Sequence, residues 1–90
     1  MNTKKQKKPD WFNGSWYTNG DTVTNPFSGE SFVLTGPELS MYDFIMGAQM
    51  VLEMKQAHLL IGSSKVQNEV RKGINWFRKN NPKAYMVLLD

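Results

Sequence analysis

Apolar and polar residues change rhythm along the chain. Between Asp21 and Leu34 they alternate, with Val23, Phe32 and Leu34 on one side and Thr22, Thr24, Ser31 and Val33 on the other. That is the two-residue period of a strand pair with one face toward a core. The segment between them, Asn25-Pro26-Phe27-Ser28-Gly29-Glu30, reads as a turn. Pro26 presets φ for a type I turn, Asn25 suits the position before it, and Gly29 supplies a left-handed residue. The resulting register sets Asn25 opposite Glu30, Val23 opposite Phe32 and Asp21 opposite Leu34. Asn13-Gly14 and Asn19-Gly20 predict further turns, because both residue types tolerate positive φ. A lone hairpin is marginal in water, so this region is expected to lie on helices.

From residue 36 the period becomes helical. Thr35 with Glu38 three residues later fits a capping box, and Pro37 is tolerated in the first turn, so a helix is predicted over about 36–60. At 100° per residue, Met41, Phe44, Ile45, Ala48, Val51, Leu52 and Leu59 form one stripe. Leu39, Met46, Met50, Met54 and Ala57 form a second, roughly opposite, with Glu38, Gln49, Glu53 and Gln56 as a narrow polar strip between them. A helix that is apolar on two sides has to be covered on two sides. Gly47 is expected to mark close packing, since glycine costs up to about 1 kcal/mol inside a helix. Ser64 with Gln67 opens a second helix whose stripe is Val66, Val70, Gly73, Ile74 and Phe77. Asn80 and Asn81 before Pro82 end it. Pro82 then opens a short terminal helix carrying Ala84, Tyr85, Val87, Leu88 and Leu89. The expected fold class is α+β: an N-terminal β-hairpin or short meander packed on an antiparallel two-helix unit, with a short C-terminal helix.

Length and charge sharpen this outline. Ninety residues allow one domain, expected over 10–90. The net charge is +3, and Lys4, Lys5, Lys7 and Lys8 account for the excess: without them seven basic residues face eight acids. Residues 1–9 are therefore expected to be a flexible basic arm. No apolar stretch follows it, so no secretory signal is expected, and Asn13-Gly14-Ser15 reads as a turn rather than a glycosylation site. The longest apolar run, Phe44 to Leu52, is far short of a bilayer span, which makes the cytoplasm the default setting. A core this small leans toward partners or self-association.

Catalytic motifs are missing. There is no phosphate-binding glycine loop, no nucleophile elbow, no cysteine and one histidine, His58. His58 reads as a surface residue at a helix end, and Tyr42 and Asp43, adjacent on a helix, point apart. Neither an enzyme nor a cofactor or metal is expected. What remains are surfaces. Methionine packs adaptably and is overused at binding faces, so Met46, Met50 and Met54, with Leu39, are candidates for a symmetric helix-to-helix dimer. The plainer alternative has the hairpin and terminal helix cover them. Trp11, Phe12, Trp16 and Tyr17 place four aromatics in seven residues. They serve either as core anchors or, through Trp11 and Trp16, as a partner hot spot. Phe27, at a turn tip, is awkward for a core: it either meets a partner or, on the plainer reading, folds back onto the sheet. A nucleic-acid surface is the alternative. The arm lysines would attract phosphates, and Lys65, Lys72 and Lys79 recur every seven residues with Trp76 between the last two. The plainer reading there is a solvated face with lysine stems lying over an aromatic ring.

Three stretches carry a resemblance. They are Asp21-Thr22-Val23-Thr24-Asn25-Pro26-Phe27-Ser28-Gly29-Glu30, then Leu39-Ser40-Met41-Tyr42-Asp43-Phe44-Ile45-Met46-Gly47-Ala48, and then Trp76-Phe77-Arg78 with Asn81-Pro82-Lys83-Ala84-Tyr85-Met86. Over about residues 10–90 the chain resembles small proteins of no defined activity encoded by tailed bacteriophages of marine bacteria. The resemblance implies a bacterial-host cytoplasm or a virion as the setting and carries over no functional residue. The expected function is a non-catalytic interaction or assembly factor, a phage accessory or minor structural protein. Its partner would be a second copy or another phage or host protein, with no membrane involved. Nucleic-acid binding and inhibition of a host enzyme are the alternatives.

Overall fold

The computed structural model describes residues 6–53 and 63–89. Its elements are β1 (Asp21–Thr24), β2 (Ser31–Leu34), α1 (Gly36–Glu53), α2 (Ser63–Asn80) and α3 (Pro82–Leu88). The strands pair antiparallel in the expected register, with Val23 opposite Phe32 and Asp21 opposite Leu34. This is a small α+β domain with a plain hairpin rather than a meander. The alternation works as read. Leu34 is buried and Val23 and Phe32 are half-buried, while Thr24 Oγ1 and Ser31 Oγ meet at 2.7 Å on the exposed side.

Local chemistry sets the helix starts. The Thr35 N–H donates to Glu38 Oε1 at 2.9 Å, and the Glu38 N–H donates to Thr35 Oγ1 at 3.3 Å, completing the capping box. Asn81 caps α3 by accepting from the Ala84 N–H at 3.1 Å, directly before Pro82. The start of α2 at Ser63 agrees with the Ser64 signal, although the Ser64 side chain lies outside the described residues. So do residues 54–62, and with them Met54, Ala57, His58 and Leu59, on which part of the first helix's apolar pattern was read.

The core draws on every part of the fold. Phe12 from the N-terminal segment, Leu34 from β2, Met41, Tyr42 and Ile45 from α1, Phe77 from α2, and Ala84 and Leu88 from α3 form one buried cluster. Helices α1 and α2 run antiparallel: Gly73 lies against Met41 and Ile45, while Ala48 and Val51 share a groove with Val66. The tight helix contact therefore falls at Gly73, where a Cβ would come within 3.2 Å of both Met41 Sδ and Ile45 Cγ1. The expectation of close packing at Gly47 is corrected, because nothing lies within 4 Å of a Cβ built there. Gly47→Ala is accordingly expected to stabilise the fold by about 0.5–1 kcal/mol, since it removes only glycine's entropy cost. A urea midpoint measures this, and a loss of stability would place a neighbour against Gly47.

Two further expectations change. Among the described residues only Gly29 has positive φ, at 80°, so the Asn13-Gly14 and Asn19-Gly20 turns are not left-handed. Gly20 is required by proximity instead: a Cβ there would collide with the Leu34 carbonyl. Residues 6–9, assigned to a flexible arm, are tied down. Gln6 Nε2 donates to Glu38 Oε2 at 2.7 Å and Gln6 Oε1 accepts from Thr35 Oγ1 at 2.7 Å. Glu38, 3% exposed, has a second carboxylate oxygen left over from the capping box, and the Gln6 amide satisfies both cap residues at once.

Candidate functional site

Three surfaces stand out, each built by a different part of the fold. The first is the hairpin tip. Asn25 constructs it: its Oδ1 accepts from the Phe27 N–H at 2.8 Å and the Ser28 N–H at 3.4 Å, and its N–H donates to the Glu30 carbonyl at 2.8 Å. Its Nδ2 donates to the Val87 carbonyl at 2.9 Å, which fastens the turn to α3. The tip is thus held from both sides, yet Phe27 is 96% exposed. Beside it on α1 lie Met46, half-buried, and Met50, 62% exposed. A hollow of about 350 Å³ is lined by Pro26, Phe27, Met46, Gln49 and Met50. A second, of about 210 Å³, runs from Phe27 and Met46 to Tyr42 and Leu88.

The methionine stripe of α1 is therefore split. Met46 and Leu39 pack against the core, Met50 does not, and Met54 lies outside the described residues. Leu39 does not share the Phe27 patch; it lines a cleft under the Tyr17–Asp21 segment. Internal coverage thus comes from the Tyr17–Asp21 segment at Leu39 and from the hairpin tip and α3 at Met46, and stops short of Met50.

The second surface joins the arm to α2. Trp76 Nε1 donates to the Lys7 carbonyl at 3.3 Å, and the Trp16 ring meets Trp76 edge-on at 5.7 Å. Lys72 Nζ lies 6.0 Å from the Trp11 ring centre, within cation–π range. Trp11 and Trp16 close the core, half-buried, against Phe12 and Phe44. Trp11 and Trp16, read in the sequence as a group apart from Lys7, Lys72 and Trp76, meet them here. Lys65 and Lys79 are exposed on α2 and Lys8 is exposed beside Lys7; Lys4 and Lys5 lie outside the described residues.

One signal for this surface was present in the sequence and went unread. The net charge of +3 conceals a segregation: residues 9–54 hold six acids and no lysine or arginine, and the rest hold eleven basic residues and two acids. Counted along the chain, the segment with the hairpin and α1 has a net charge of −6 and the remainder +9. Attributing the basic excess to the arm alone hid this, because the acids of the middle segment cancelled the bases of α2 in the sum.

The third surface is the cleft of about 480 Å³ between the Tyr17–Asp21 segment and α1, lined by Tyr17, Asn19, Asp21, Leu39 and Asp43. Tyr17 Oη donates to Asp43 Oδ2 at 3.0 Å. That hydrogen bond, then the charge on Asp43, then slight burial push the Tyr17 phenol above its ordinary range. Burial first, and Asp43 second, push Tyr42 the same way. Both shifts favour the protonated phenol, which is already the form an ordinary tyrosine takes at neutral pH. Tyr42 is buried and Asp43 exposed, so that pair points apart as expected, and Asp43 is engaged by Tyr17 instead. Among the described residues no three His, Asp or Glu side chains converge to hold a metal, and no helix is long and apolar enough to cross a membrane. No family model, curated protein or solved structure matches the chain.

Proposed function

We propose that this is a non-catalytic interaction protein that self-associates through Phe27, Met46 and Met50. The observation that carries the reading is the exposure of Phe27, 96%, on a turn that Asn25 fastens to α3. Leaving a large aromatic in water forgoes about 1.5–3 kcal/mol of burial energy. Placing it on a preorganised turn removes most of the ordering cost of binding with it. The patch also carries a projecting ring next to a hollow of about 350 Å³ lined by Met46 and Met50. A knob beside a hole on one patch is self-complementary, as a two-fold interface between identical chains requires. In the bacterial-host cytoplasm or virion that the phage resemblance implies, such a protein serves as an accessory or minor structural factor.

Sedimentation equilibrium tests this. The wild-type chain is expected to form dimers in a concentration-dependent way. Phe27→Ala is expected to weaken the dimer about 30-fold, a hot-spot loss near 2 kcal/mol. Met50→Asp is expected to abolish it, because a carboxylate would be buried without a partner. Both residues are exposed in the subunit, so thermal unfolding of the monomer should move by less than about 0.5 kcal/mol. A wild-type chain that stays monomeric at every concentration overturns self-association, and a dimer indifferent to both substitutions overturns this surface.

A further inference from the structure

We infer that the arm and α2 together form a binding surface for single-stranded nucleic acid, separate from the Phe27 patch. Charge is the first argument. The described residues of the arm, α2 and α3 hold eight basic side chains (Lys7, Lys8, Lys65, Arg71, Lys72, Arg78, Lys79 and Lys83) and one acid, Glu69. The six acids between residues 9 and 54 belong almost entirely to the hairpin and α1. A polyanion approaching the molecule is therefore steered toward one side of it and repelled from the other.

Geometry is the second argument. The helical rise of 1.5 Å per residue sets Lys65, Lys72 and Lys79 about 10.5 Å apart along one flank of α2, a row about 21 Å long. The bond from Trp76 Nε1 to the Lys7 carbonyl brings the described end of the arm onto that flank between Lys72 and Lys79, so Lys7 and Lys8 stand beside the row. One row of cations matches one phosphate backbone. The three tryptophans of the chain, Trp11, Trp16 and Trp76, gather at the same place. Lysines tracking a backbone with aromatic rings among them is the arrangement that favours single strands, whose bases are free to stack, over duplex. Lys72 sets charge and ring side by side, since it is an exposed residue whose ammonium group lies over Trp11.

The tryptophans supply their own readout. Titration with an oligo-dT of about 16 nucleotides at low salt is expected to quench their fluorescence and to saturate. Five phosphate contacts, from Lys7, Lys8, Lys65, Lys72 and Lys79, predict a slope of log K against log salt near −3.5, which is a loss of about 130-fold between 50 and 200 mM. The double substitution Lys72→Ala and Lys79→Ala is expected to shallow that slope by about 1.4. These side chains are exposed, so the fold persists, as far-UV circular dichroism will show. Phe27→Ala should bind the oligonucleotide as the wild type does, which separates this inference from the self-association reading. Three results overturn it: no saturable binding at 50 mM salt, a slope unchanged by the double substitution, or binding of duplex DNA or polyglutamate as tight as that of oligo-dT. The last would mean an acidic surface of another protein, or of a second copy, is as good a ligand.

Discussion

Phe77→Ala is expected to cost about 3–5 kcal/mol and to lower the unfolding midpoint steeply. Phe77 is fully buried, and its ring sits 6.5 Å from that of Tyr42 on α1. It is the α2 member of the cluster that also contains Leu34 of β2 and Ala84 and Leu88 of α3. Removing the ring leaves a void walled by elements that are themselves braced elsewhere. Leu34 is held in the hairpin ladder, and Ala84 is held by the Asn81 cap. They cannot collapse inward, so the cavity cost adds to the lost transfer energy. A domain of this size is stable by only about 5–13 kcal/mol, so one such loss consumes a large share. Chemical denaturation monitored at 222 nm measures it. A loss under about 1.5 kcal/mol would mean that the three helices are not joined through this residue.

Gly36→Ala is expected to destabilise by about 3 kcal/mol, against the intrinsic preference of helices for alanine by up to about 1 kcal/mol. Gly36 is the first residue of α1 and its φ is not positive, so its own backbone would accept alanine. The obstacle is the N-terminal segment. A Cβ at Gly36 would collide with the Tyr17 carbonyl and stand 2.6 Å from the Thr18 carbonyl. These are backbone atoms and cannot swing aside. They are also fixed, because the Tyr17 N–H donates to Ser40 Oγ at 2.6 Å and Ser40 Oγ in turn donates to the Gly36 carbonyl at 2.8 Å. Relief requires the segment to lift, which exposes Trp16 to water. The check is a red shift of tryptophan emission accompanying the lowered unfolding midpoint. The contrast with Gly47, where the same substitution is expected to stabilise, isolates the contact from helix propensity. Equal effects at the two glycines would sink the argument.

The candidate surfaces were readable to different degrees. Phe27 was legible because a phenylalanine within a proline–glycine turn has no strand or helix to carry it inward. The methionine stripe was only half legible. Helical periodicity places Leu39, Met46 and Met50 on one side of α1, but periodicity carries no information about what lies opposite. The hairpin tip, α3 and the Tyr17–Asp21 segment cover Leu39 and part of Met46 and leave Met50 bare. The arm and Trp76 are 69 residues apart, and nothing local announces that a lysine carbonyl will accept an indole N–H. The charge segregation was legible in principle and was hidden by summing over the chain.

Elements and register followed from short-range rules. The turn chemistry of Asn25, Pro26 and Gly29, the Thr35–Glu38 box and the Asn81-Pro82 stop each act within five residues, and the chain satisfies them wherever it sits in space. Long-range meetings had no such local cause: Gly36 under Tyr17, Gly73 against Ile45, Gln6 between Thr35 and Glu38, and Trp76 under the arm. They depend on which surfaces the packed elements leave close together. A glycine or glutamine looks the same in sequence whether it faces water or backbone, so close approach and polar satisfaction at a distance are properties of the assembled fold alone.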